Sequence, residues 1–114
     1  MTNLNNALSQ YCGTEQYFYH PMFPSYQYTD GIKAMAELYQ AYWIIEFILI
    51  AQKNLSSYEF QVWKFECREN ICVVSATDGN ETEIYKRFLY VSLMPDGILK
   101  IYLQNNIMFL PSEY

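Results

Sequence analysis

His20 is the single imidazole of this 114-residue chain, and Glu46 is an acid set inside its longest apolar run; twelve tyrosines surround them in sequence. A catalytic imidazole needs a nucleophile or water on one side and an orienting acid on the other. Near His20 the candidates are Cys12, Glu15 and the flanking tyrosines, but no local signature joins them. Glu46 lies amid Tyr42, Trp43, Ile44, Ile45, Phe47 and Ile48. Buried there, its carboxylate would need a partner or be driven toward its neutral form. On an exposed stripe of a helix it would need neither, and that is the reading the residues favour.

Cys67 and Cys72 flank a four-residue connection. A closed structural zinc site takes four ligands, and only Cys12 and His20 remain to complete one. Without an export signal at Met1-Thr-Asn-Leu-Asn-Asn6, the three cysteines are expected to stay reduced in the cytoplasm. Cys67 and Cys72 then read as small buried hydrophobes. Asp78-Gly-Asn-Glu81 supplies half a calcium loop and reads as a turn. Phosphate-cradling glycine loops and serine elbows are missing, so no metal or cofactor is expected.

Tyrosine is better suited to contact than to proton transfer, being large, stiff and amphipathic. Tyr17, Tyr19, His20, Tyr26 and Tyr28 cluster in one segment stiffened by Pro21 and Pro24, and such a segment loses little entropy on binding. The same rings could instead cover the back of a helix. With a net charge of -5 and Lys86-Arg87 as the largest basic cluster, direct nucleic-acid binding is not expected.

These residues must be positioned by one domain spanning 1–114, since the length leaves no room for a second core and 52% of it is apolar. Leu4, Ala7 and Leu8 predict a short N-terminal helix stopping at Gly13. Ile32, Met35, Ala36, Tyr39, Trp43, Phe47 and Ile50 recur at helical spacing, predicting one long helix from a Thr29 or Asp30 cap to about Gln52. Its second half is apolar nearly all round, which suits burial on two sides or a homodimer seam. The run from Ala41 to Ala51 is too short to span a bilayer.

From Tyr58 onward the apolar period becomes two. The phase slips at Val62-Trp63, for which a bulge is the expectation and two-sided burial the alternative. Strands follow at Cys72–Thr77, Ile84–Tyr90 and Ile98–Leu103, joined at Arg68–Ile71, Asp78–Asn80 and Pro95–Gly97, and a last short segment from Ile107 to Leu110 stops at Pro111. The expected fold is α+β: an antiparallel meander of about four strands packed on the one long helix, with an aromatic extended segment beside it.

Gly13-Thr-Glu-Gln16 with His20-Pro21, Tyr28-Thr-Asp-Gly31, Met35-Ala36, Tyr42-Trp43, Glu59-Phe-Gln-Val-Trp-Lys64 and Leu110-Pro-Ser-Glu-Tyr114 together resemble an uncharacterised family of small bacterial proteins also carried by phages and plasmids. The resemblance covers nearly the whole chain and implies no catalytic residues. It implies company on mobile elements, where small acidic proteins often bind and block host proteins.

The favoured function is therefore a non-enzymatic protein-binding domain, an inhibitor or adaptor in the bacterial cytoplasm. Tyr17, Tyr19, His20, Tyr26, Tyr28 and Glu46 form its contact patch, its partner being an unidentified protein or a second copy. The alternatives are a small-ligand or nucleotide-binding domain, with rings for stacking and Glu46 or His20 as anchors, and a small hydrolase or isomerase using Glu46 and His20.

Overall fold

A computed structural model describes all residues, 1–114. It has two short helices and seven strands: β1 (Tyr17–Phe18), β2 (Gln27–Thr29), α1 (Asp30–Leu38), α2 (Tyr42–Leu55), β3 (Phe60–Arg68), β4 (Ile71–Thr77), β5 (Glu83–Tyr90), β6 (Gly97–Gln104) and β7 (Ile107–Phe109). Single 3₁₀ turns occupy Asn6–Leu8 and Pro111–Glu113. All strands belong to one mixed sheet, ordered β1-β2-β7-β6-β3-β4-β5, with β2 and β7 parallel. The predicted four-strand antiparallel meander on one long helix is therefore incorrect.

The helix is interrupted where its apolar periodicity continues. Gln40 takes a left-handed φ of 51°. Gln40 N–H donates to Glu37 O at 3.4 Å and Ala41 N–H donates to Ala36 O at 2.8 Å. This is the paired closure that ends helices when the residue after the cap turns left-handed. Glycine usually fills that position, so a glutamine there leaves no signal in the sequence. The turn re-aims α2, laying Ile44, Ile45, Ile48 and Leu49 against the sheet, where all four are buried.

The inner sheet face carries Trp63, Phe65 and Cys67 on β3, Cys72, Val74 and Ala76 on β4, and Leu99, Ile101 and Leu103 on β6. Phe47 on α2 keys into it, edge-on to Tyr85 at 5.9 Å and to Trp63 at 6.4 Å. Edge-to-face rings of this kind add to plain area burial.

No bulge lies at Val62-Trp63, because β3 pairs without interruption with β4 and β6 there. The inner-facing residue one step earlier is Gln61, 1% exposed, and its polarity is what breaks the apparent apolar phase. Its amide exchanges two hydrogen bonds with that of buried Gln52, at 2.8 and 2.9 Å. Gln61 Nε2 also donates to Leu55 O, and Trp63 Nε1 donates to Gln61 Oε1 at 3.0 Å. Every polar atom of the pair is satisfied, so the end of α2 is fixed to β3 at little desolvation cost. The register shift instead falls between Ala76 and Thr77, opposite β5.

Cys67 and Cys72 form a disulfide, which corrects the expectation of free thiols. They lie directly opposite one another on β3 and β4, with Cα atoms 4.1 Å apart, and both are buried. The turn beside them, Glu69-Asn70, has both φ angles positive, the geometry that matches strand twist in a two-residue hairpin.

The predicted N-terminal helix is only the single turn Asn6–Leu8. The chain before it runs along β6 instead. Ile98 N–H donates to Thr2 O and Leu4 N–H to Ile98 O, both at 2.8 Å. The Asn5 side chain then both donates to and accepts from the Lys100 backbone, as a strand residue would.

Candidate functional site

Residues 19–26 leave β1 and pass over α2. Phe23 and Tyr26 pack against the core, the prolines hold the path, and Phe23 N–H and Tyr26 N–H close turns onto His20 O and Phe23 O. The path sets His20 beside Glu46 on the outer stripe of α2, with Nε2 3.3 Å from the carboxylate. Glu46 is half exposed, as the helical spacing indicates.

His20 Nδ1 accepts a hydrogen bond from Met22 N–H at 3.1 Å. The proton of a neutral ring therefore sits on Nε2, facing Glu46. Both ring nitrogens are engaged, and neither residue lines any of the principal cavities. The arrangement is a clasp between loop and helix; it presents no unengaged base to a substrate.

The structure divides the six predicted contact residues. His20, Tyr26 and Glu46 gather along α2, and Tyr28 stacks on Phe18 at 5.7 Å, which in turn lies under Lys33 Nζ at 4.5 Å. Tyr28 ionises above the usual tyrosine value of 10.0 because burial disfavours its charged form, with a smaller contribution from neighbouring Tyr42. Tyr17 faces away from this group into a cavity of about 210 Å³ that includes Thr14, Glu113 and Tyr114. Tyr19 is exposed on the loop.

Along α2 the outward positions Tyr42, Glu46 and Ile50 follow at helical spacing, and Ile50 is 63% exposed. A shallow groove of about 450 Å³ separates Phe23 and Tyr26 from Leu49, Ile50 and Lys53. Tyr19 and Met22, on either side of His20 in the loop, are exposed as well. Ile50, Tyr42 and Met22 do not stand out as site residues in the sequence, although the outward stripe is legible from the position of Glu46.

A second convergence joins residues from motifs that are far apart in the sequence. Glu113 lies against the N-terminus of α1: its carboxylate accepts from Thr29 Oγ1 at 2.7 Å, Leu110 N–H at 2.9 Å, and Gly31 N–H and Thr14 Oγ1 at 3.3 Å. Thr29 simultaneously caps the helix, accepting from Ile32 N–H at 3.2 Å. A carboxylate here satisfies exposed helix donors and meets the positive end of the helix dipole. A Cβ on Gly31 would stand 2.5 Å from Glu113 Oε1, so glycine is what admits the carboxylate. Three sequence motifs, at Gly13–Gln16, Tyr28–Gly31 and Leu110–Tyr114, thus meet in one structural clasp.

No helix is long and apolar enough to cross a membrane, and no group of three or more His, Cys, Asp or Glu side chains is placed to hold a metal ion. Comparison with curated proteins and with solved structures finds no significant match. The family comparison does. Across residues 2–114, a span that takes in all of these motifs, the sequence matches a family of unknown function, DUF6876, and the chain belongs to that family.

Proposed function

We propose that this chain is a protein-binding domain whose contact surface is the patch formed by residues 19–26 and the outward stripe of α2. The observation that supports this most directly is the pairing of exposed apolar side chains with a rigid frame. Tyr19, Met22, Tyr42 and Ile50 are open to solvent, yet the loop beneath them is tied down by Phe23, Tyr26 and the His20–Glu46 clasp. Contiguous exposed apolar surface marks interaction sites, and a preordered one loses little entropy on association. The groove between Tyr26 and Ile50 has the shape to take one apolar anchor from a partner.

Tyr28 serves this surface as support through its stack on Phe18. Tyr17 lies outside it. The finer reading, an inhibitor or adaptor acting on a host protein of the bacterial cytoplasm, rests on the mobile-element company implied by the sequence resemblance. The small-ligand reading draws less support, because the cavity beside the patch is shallow. The hydrolase reading has the right pair of residues in contact but no unengaged base.

The test places a photo-crosslinking phenylalanine analogue at Tyr19 in one sample and at Phe88, on the far face of the sheet, in another, in bacterial lysate. One protein crosslinked from Tyr19, not from Phe88, and lost with Ile50→Asp is the expected result. Crosslinks of equal pattern from both positions would sink the patch. A crosslink to a second copy of the chain would make the patch a homodimer seam.

A further inference from the structure

The face of the sheet opposite the helices carries a different chemistry. Its outward residues include Lys64 and Arg68 on β3, Lys86 on β5 and Lys100 on β6, four of the chain's seven cations. Two acids, Glu66 and Glu83, share that face. The face is thus net positive within a chain of charge -5, so fold segregates what composition averages.

The cations are also aligned. Lys64 lies directly opposite Lys100 on one side and Ser75 on the other, and Ser75 lies opposite Lys86. Lys100, Lys64, Ser75 and Lys86 therefore form one straight row across four strands, spanning about 14 Å at the usual strand spacing. Like charges directly opposite in a sheet are destabilising. Glu66 offsets part of this by approaching Lys64 Nζ at 3.7 Å, and nothing comparable meets Lys86 or Lys100.

Aromatic rings flank the row on both sides. Phe88 and Tyr90 lie on one side, 69% and 83% exposed, with Lys86 Nζ 5.8 Å from the Phe88 ring. Tyr102 and Phe60 lie on the other, gathered with Phe109 and Tyr114: Tyr114 stacks on Phe60 and Phe109, and Tyr102 meets both of those rings edge-on. Two hollows of about 380 and 340 Å³, meeting at Met1, run alongside: the first is lined by Lys100 and Tyr102, and the second, by Arg68 and Ile71, also carries the carboxylates Glu66 and Glu69 and so lies off the phosphate path.

From this we infer that the open sheet face binds single-stranded nucleic acid, with the lysine row on the phosphodiester backbone and the flanking rings stacking on bases. A polyanion relieves the repulsion along the row, and release of its counterions drives the association. Exposed rings beside the cations favour a single strand, whose bases are free to stack, over a duplex, whose bases are not. The low overall basicity confines binding to this face and limits how many phosphates it can engage. The site lies on the opposite side of the sheet from the proposed protein-binding patch and does not depend on it.

The test is fluorescence anisotropy of a labelled oligothymidylate of about 16 nucleotides with the full chain. Duplex DNA and polyglutamate serve as competitors, and salt is varied between about 50 and 200 mM. The expected result is binding that weakens with salt and resists both competitors. In Lys64→Gln/Lys86→Gln/Lys100→Gln, affinity falls at least tenfold and the log–log salt slope shrinks by about 2, at roughly 0.7 for each phosphate no longer neutralised. In Phe88→Ala/Tyr90→Ala, affinity falls about tenfold while the slope stays put, as loss of stacking predicts.

Thermal melts accompany each variant, and the ring variant carries the test if the lysine variant does not fold. No binding by the native chain at the lowest salt would overturn the inference, as would binding undiminished in both variants. Polyglutamate competing as well as unlabelled oligothymidylate would overturn it in favour of an acidic protein partner. An Ile50→Asp chain that loses the protein crosslink and keeps oligonucleotide binding is the expected sign that the two surfaces are separate.

Discussion

On the helix side of the sheet, Trp63, Phe65, Val74, Leu99 and Ile101 are sealed from water; one residue along the same strands, Lys64, Val73 and Lys100 face outward, beside Phe88 of β5. Alternation alone produces the two faces, but their residues do different jobs. Inner positions are chosen for volume, because a close-packed interior registers each lost methylene. Outer positions tolerate cross-strand like charge and bare rings, neither of which helps the fold. A surface that costs stability without a packing return is a surface to examine for binding.

The sharpest test of that contrast sets Trp63→Ala against Phe88→Ala. The first empties a fully buried site and is expected to cost about 3–5 kcal/mol. The second, on an exposed ring, is expected to stay within about 0.5 kcal/mol. Urea unfolding midpoints decide it, and comparable losses at the two positions would mean the outer face is covered in solution.

Next in size is the disulfide. Replacing Cys67 and Cys72 together by alanine is expected to lower stability by about 2 kcal/mol through release of the short loop, seen as a lower denaturation midpoint. Glu113→Ala and Gln61→Leu follow, at about 1–3 kcal/mol each, because each leaves donors or acceptors without partners. Hydrogen exchange distinguishes them: Glu113→Ala should free the amides of Gly31 and Leu110, whereas Gln61→Leu should loosen the end of α2. Smallest is Glu46→Gln, whose exposed pair with His20 contributes about 0–1 kcal/mol and should leave the melting temperature nearly unmoved.

The tyrosines give one pH dependence. Tyr28 and Tyr39 ionise above 10.0 in the folded chain, chiefly through burial. The folded state then holds protons that the unfolded chain has released, so stability falls as pH rises past about 10 and is unaffected near neutrality. A spectrophotometric titration should show this late-ionising group disappear in denaturant.

The long strands could be read before the structure. The four long strands announce themselves by period two, and the β4–β5 turn by Asp78-Gly79-Asn80; Pro95-Asp96-Gly97 does not fold β6 onto β5, because the chain crosses back and β6 pairs with β3. Three features could not. The helix break depends on Gln40 adopting a conformation that glycine usually marks. Strands β1, β2 and β7 are two or three residues long; short extended pieces are legible there, but not their pairing, and β2 joins β7 across most of the chain. The inward Gln61 mimics a bulge when polarity is taken for exposure; its partner Gln52 makes it a core residue.

The candidate patch was legible in the same uneven way. The stiff aromatic segment and the outward placement of Glu46 followed from composition and spacing, and the two were expected to lie in one patch. Tyr17 departed because alternation carried it to the other side of β1 from Phe18. The lysine row was invisible, since its members come from three strands and align only through register.

The Cys67–Cys72 bond has a last consequence. Both cysteines are buried, so a reductant in solution reaches the sulfurs only when the end of the β3–β4 hairpin opens. The rate at which dithiothreitol breaks the bond is thus a stopwatch on that opening, readable without label or mutation. Anything seated on the domain that slows the parting will slow the clock.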